Sequence, residues 1–105
     1  MHSQEQREPM RIQKMIYDAS GCKYPGGALS LEGSLPVNGV ILRSPWFDSK
    51  ENAFCTWIKV PDAPLPETRK HVYHVFSEDA DIPKHLTYCT STEVDGSTFH
   101  LVYEP

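Results

Sequence analysis

Leu86-Thr87-Tyr88-Cys89-Thr90-Ser91-Thr92-Glu93-Val94, then Asp95-Gly96, then Ser97-Thr98-Phe99-His100-Leu101-Val102-Tyr103 is the stretch that decides the fold. Two runs rich in β-branched and aromatic residues flank an Asp-Gly pair, which suits a type I′ turn because both of its central residues need positive φ. The stretch therefore predicts an antiparallel hairpin. Strand alternation puts Phe99, Leu101 and Tyr103 on one face of the last arm and His100 and Val102 on the other. If the sheet is covered on both sides, His100 is buried, hydrogen-bonded and structural.

The same chemistry repeats upstream. Residues 40–47 and 53–60 flank a polar loop at 48–52 and predict a second hairpin, with Pro45 forcing its end of the first arm to an edge or a bulge. Three prolines within residues 61–67 make a stiff connector between two halves of one sheet or barrel. Residues 71–76 read as a strand and residues 77–81 as an acidic loop. Nearer the N-terminus, residues 11–17 read as a strand with Ile12 and Ile16 on the face opposite Met15 and Tyr17, a helical reading of this stretch staying open. Residues 28–31 read as a short edge strand between Gly/Pro-rich loops. The expectation is an all-β fold, a small antiparallel sandwich or open barrel of five to seven strands with little helix. Residues 1–10 are expected to be a disordered tail before a single domain at 11–105.

At 105 residues the chain holds one core. Its net charge of −4 excludes nonspecific affinity for nucleic acid or anionic lipid. Three widely spaced cysteines, Cys22, Cys55 and Cys89, match neither a disulfide scaffold nor a zinc ribbon and point to a reducing cytoplasm. The polar first nine residues lack the apolar stretch of a signal peptide, and no apolar run approaches the roughly 20 residues that span a bilayer.

No catalytic or cofactor motif is present: no nucleophile elbow, phosphate-cradling loop or His-Glu-x-x-His. Cys89 and His100 are the pair nearest to a nucleophile and its base, and they read better as ordinary cross-strand neighbours. His71 and His74 fall on opposite faces of a strand, and His85 and Cys89 lie too far along the chain to complete a metal site with them. Glu78, Asp79 and Asp81 lack the full ligand run of a Ca²⁺ loop. The expectation is a protein with no enzymatic activity, no cofactor and no metal. The candidate ligand-binding residues are Arg43 with Trp46, Trp57 beside Lys59, and Arg69-Lys70 with Tyr73. Together they offer stacking faces and cationic donors for a nucleotide-like molecule, or the aromatic and Arg anchors of a protein interface. The high aromatic content and the short sheets, whose edges must be paired or blunted, predict a homodimer or higher homo-oligomer.

Leu35-Pro36, Gly39-Val40-Ile41-Leu42, Trp57, Pro61-Asp62-Ala63-Pro64, Arg69, Phe76, Ile82-Pro83, Tyr88, Asp95-Gly96 and Phe99-His100-Leu101-Val102-Tyr103-Glu104 follow one another in a distinctive order. From residue 35 to 104 the chain thereby resembles a family of short, uncharacterised β-rich proteins of tailed bacteriophages and prophages. The chain departs from that pattern in the turn after Phe76 and in residues 18–34, which look like extra sequence. The resemblance implies a β-rich accessory protein in a bacterial host's cytoplasm that counters a host process by binding a host protein or a small signalling molecule. The alternative is a phage structural or oligomerisation module with no small-molecule ligand.

Overall fold

Asp95 and Gly96 take φ of 51° and 83°, the left-handed pair of a type I′ turn, and join β8 (Thr87–Val94) to β9 (Ser97–Tyr103). The computed structural model describes residues 9–105. Among these residues the chain forms seven further strands and no helix: β1 (Met10–Ile16), β2 (Asp18–Ser20), β3 (Gly27–Pro36), β4 (Val40–Ile41), β5 (Trp46–Asp48), β6 (Ala53–Pro61) and β7 (Thr68–Ser77). Positions 1–8 of the expected tail lie outside the described residues, and Met10 opens β1 opposite Pro61 instead of ending a tail.

Two antiparallel sheets pack face to face. In sheet A, β6 is central, β1 flanks it on one side, and β4 and β5 lie end to end on the other. Sheet B runs β2-β3-β7-β9-β8. The fold is all-β, an open two-sheet arrangement and not a closed barrel. Nine strands exceed the expected five to seven for two reasons. Pro45 has no N–H for the ladder, so the arm at 40–47 splits into β4 and β5, with the Thr56 hydroxyl donating to the Arg43 carbonyl in the gap. Residues 18–34 hold β2 and most of β3, which pairs along the length of β7 inside sheet B.

Tyr17 alone separates β1 from β2, so one extended path leaves sheet A and enters sheet B, with Tyr17 N–H donating to the Phe54 carbonyl at 2.9 Å. The proline connector at 61–67 also crosses between the sheets, where a link between two halves of one sheet or barrel was expected. The main core lies between the sheets, where Met15, Tyr17, Phe54, Ile58 and Val60 meet Leu31, Leu35, Val75 and Leu101. Each such burial contributes about 1.5–3 kcal/mol, which makes this layer the chief stabilising feature. A smaller cluster covers the outer face of sheet B, where Phe76, Val102 and Leu86 pack with Tyr24, Ala80 and Ile82. His100 sits on that outer face, half-buried beside the Tyr88 ring. Its Nδ1 is buried without a hydrogen-bond partner among the described residues, so the expected bond is not made there.

Candidate functional site

The outer face of sheet A collects most of the predicted binding residues. β6 sends Phe54, Thr56, Ile58 and Val60 inward, which turns Cys55, Trp57 and Lys59 outward. Residues directly opposite in an antiparallel pair share a face, so Ile12, Lys14 and Ile16 of β1, Val40 of β4 and Trp46 of β5 turn outward with them. Of the nine exposed large hydrophobic residues among those described, six lie here: Met10, Ile12, Ile16, Val40, Leu42 and Trp57. Ile12 is 62% exposed and Trp57 37%. The two tryptophan rings stand 5.9 Å apart, the Arg43 guanidinium lies 4.5 Å above Trp46, and the Lys14 ammonium lies 5.6 Å from the Trp57 ring. Ile12, Leu42, Arg43 and Trp57 line a shallow groove of about 370 Å³. Lys14 donates to the Asp48 carboxylate at 2.7 Å; this bond holds Lys14 above its ordinary pKa and the Asp48 carboxyl below its own.

The six predicted residues do not converge. Arg43, Trp46 and Trp57 come together on sheet A, while Arg69, Lys70 and Tyr73 belong to β7 in sheet B. Arg69 stands exposed opposite Leu35. Lys70 points to the other face, with its ammonium 3.5 Å from Glu32. Tyr73 packs against the inter-sheet core, edge-on to Tyr17 and Tyr103, and burial beside Cys89 pushes its hydroxyl up to about 12.

Sequence reading missed a second feature, a cleft of about 450 Å³ on the outer face of sheet B. Its floor is His74, 4% exposed, with Ser30 beside it and Lys23, Lys70, Glu32 and Glu104 around it. The Nε2 of His74 faces the Glu104 carboxylate at 3.8 Å, which favours the proton on that nitrogen and leaves Nδ1 to accept the Ser30 hydroxyl at 2.9 Å. Burial, with Lys23 nearby, lowers the His74 pKa and keeps the ring neutral. Glu104 is bonded first to Lys23, at 2.6 Å, so it neutralises that lysine more than it orients the imidazole. The only sequence signal for this cleft was β-strand parity, which sets His74 outward and His71 inward, toward Gly33.

Cys89 and His100 do not meet. Cys89 packs on the core side, 3.6 Å from the Ser44 hydroxyl, while His100 faces outward. All three cysteines are free. Among the described residues no group of three His, Cys, Asp or Glu is placed to hold a metal ion, and no helix is long and apolar enough to cross a membrane. Comparison with protein-family models, curated proteins and solved structures gives no match to this chain.

Proposed function

We propose that this protein is a non-catalytic binding module that grips a partner protein with the outer face of sheet A. The observation that carries this reading is the gathering of Met10, Ile12, Ile16, Val40, Leu42 and Trp57 on one face, with Arg43 stacked on Trp46 at its margin. Exposed apolar side chains gathered on one face mark sites of association, here with Lys14 and Lys59 standing among them, and Trp and Arg are the residues that dominate interface energies. The nucleotide pocket expected from Arg69, Lys70 and the tryptophans together is not assembled, since those two cations stand on the other sheet. That separation favours a protein partner over a nucleotide. The setting that goes with this reading is that of a phage accessory protein in a bacterial cytoplasm, which the three free cysteines suit, countering a host process by binding.

The test is capture from a bacterial host extract, run in parallel with the wild type, Ile12→Ser, Trp57→Ala and Tyr88→Ser, the last altering an exposed hydrophobic residue of sheet B. A single protein retained by the wild type and Tyr88→Ser but lost by Ile12→Ser and Trp57→Ala supports the reading. Capture that is absent, or indifferent to Ile12 and Trp57, refutes it.

A further inference from the structure

Among the described residues four sheet edges are left open, and three of them are broken, short or bulged, which hinders pairing. The β4–β5 edge is interrupted at Pro45, and β2 has only three residues. β8 bulges at Cys89, since Tyr88 pairs with Val102 and Thr90 with Leu101. β1 has none of these, being seven residues long, without proline, and in unbroken register with β6; of its two cations, Arg11 and Lys14, Lys14 is tied to Asp48 and Glu51.

The direction of its free backbone groups follows from two hydrogen bonds. Tyr17 N–H donates to the Phe54 carbonyl at one end, and Asp62 N–H donates to the Pro9 carbonyl at the other. Odd-numbered residues of this strand therefore address β6, and Met10, Ile12, Lys14 and Ile16 turn their N–H and C=O groups to the open side.

We infer that β1 pairs antiparallel with β1 of a second copy, about a two-fold axis at Gln13. In this register Met10 stands opposite Ile16 of the second copy, Arg11 opposite Met15, Ile12 opposite Lys14, and Gln13 opposite Gln13. Each pair of even-numbered residues exchanges two N–H···O bonds, so every free backbone group of the strand is satisfied. No like charges face each other. An axis at Lys14 would oppose two ammonium groups and one at Arg11 two guanidinium groups, while an axis at Ile12 would leave residues 15 and 16 without a strand partner. Gln13 is the centre that uses the whole strand without repulsion.

Pairing at this edge fuses two four-stranded sheets into one and runs their exposed apolar faces together without covering them. The inference therefore stands apart from the partner reading above.

The test is molar mass by light scattering over a concentration series. Wild type is expected to give twice the 11.9 kDa chain mass. Ile12 is exposed, so its replacement leaves the monomer fold intact. Ile12→Lys sets a second ammonium opposite Lys14 of the other copy and should raise the dimer Kd about tenfold or more, whereas Ile12→Glu supplies an opposite charge and should preserve the dimer. At the axis, Gln13 forms a pair with Cα atoms about 4.5 Å apart, within disulfide range, so Gln13→Cys should cross-link under mild oxidation and Gln13→Ser should not. A wild type of single-chain mass at all concentrations overturns the inference. So does a dimer weakened equally by Ile12→Lys and Ile12→Glu, or one that fails to cross-link through Gln13→Cys. Trp57→Ala should leave the mass unchanged, which separates this edge from the partner face.

Discussion

Tyr17 occupies the space that a side chain on Gly33 would need. A methyl group built on Gly33 would stand 2.8 Å from Cε1 of the Tyr17 ring and 2.7 Å from Cε of Met15. The Met15 methyl is the end of a flexible chain and can move, but the Tyr17 ring is fixed at the crossing from sheet A to sheet B. Gly33 is therefore the point where the interior strand β3 admits the crossing chain.

Gly33→Ala is accordingly expected to lower stability by about 1–3 kcal/mol, the usual scale of an overpacked core. Urea denaturation measures it. A midpoint equal to wild type would mean that the crossing at Tyr17 yields freely.

The Tyr17 hydroxyl is buried without a hydrogen-bond partner among the described residues, and burial drives its pKa far above the ordinary tyrosine value. Removing an unsatisfied buried hydroxyl relieves a desolvation penalty. Tyr17→Phe should thus leave stability unchanged or raise it by about 1 kcal/mol; a clear loss in the same denaturation experiment would show that the hydroxyl has a stabilising partner.

Alkaline unfolding should follow from Tyr73. Its folded-state pKa of about 12 lies above the unfolded value of 10.0, so the folded state holds its proton longer. The corresponding stability is whole below about pH 10 and is lost as pH rises toward 12. Tyr73→Phe has no such proton to lose and should shift the alkaline transition to higher pH, read by circular dichroism.

His74 sets the opposite edge of the pH range. Its folded pKa is depressed below 6.5 by burial first and by Lys23 second, so below that pH the unfolded chain binds a proton that the folded chain refuses. Stability contributed by neutral His74 is present above pH 6.5 and is lost as pH falls through the depressed value. His71, half-buried and near Arg69, shifts in the same direction. The melting temperature should fall between pH 7 and pH 5, and more steeply in the wild type than in His74→Gln. Equal slopes would place the acid sensitivity elsewhere.

Arg43 stacks on Trp46 in water, where such a contact is worth about 0.5–1 kcal/mol. Arg43→Ala should lower stability by that amount and shift the tryptophan emission of the folded state, as Arg43→Lys should to a smaller degree. An unchanged emission spectrum would mean that the stack is not populated.

Local chemistry carried much of the fold into the sequence. Asp95-Gly96 can close a tight hairpin because its backbone geometry is set by the two residues themselves, and Pro45 cannot join a ladder whatever surrounds it. The parity of Ile12 and Ile16 against Met15 and Tyr17 was legible for the same reason, since alternation is a property of the extended chain. β3 was not legible in full. Gly33 breaks its apolar alternation, and the reason for a glycine there is Tyr17, which approaches only once the sheets have packed.

Of the candidate site, Arg43, Trp46 and Trp57 were recognised by residue type, and the tertiary structure decided which of their companions reach them. Nothing local distinguishes Trp46 from Tyr73 as a stacking surface. The connector at 61–67 carries β7 to the other sheet, which separates Arg69, Lys70 and Tyr73 from the tryptophans. The cleft around His74 is likewise a product of assembly, because Lys23, Ser30, His74 and Glu104 come from distant parts of the chain. The sequence by itself determined an all-β chain with its turns, breaks and strand faces, since these depend on residues within a few positions of one another. Which sheet each strand joins, which edge stays open and which side chains meet were decided by tertiary packing, because those outcomes depend on contacts between residues far apart in the chain.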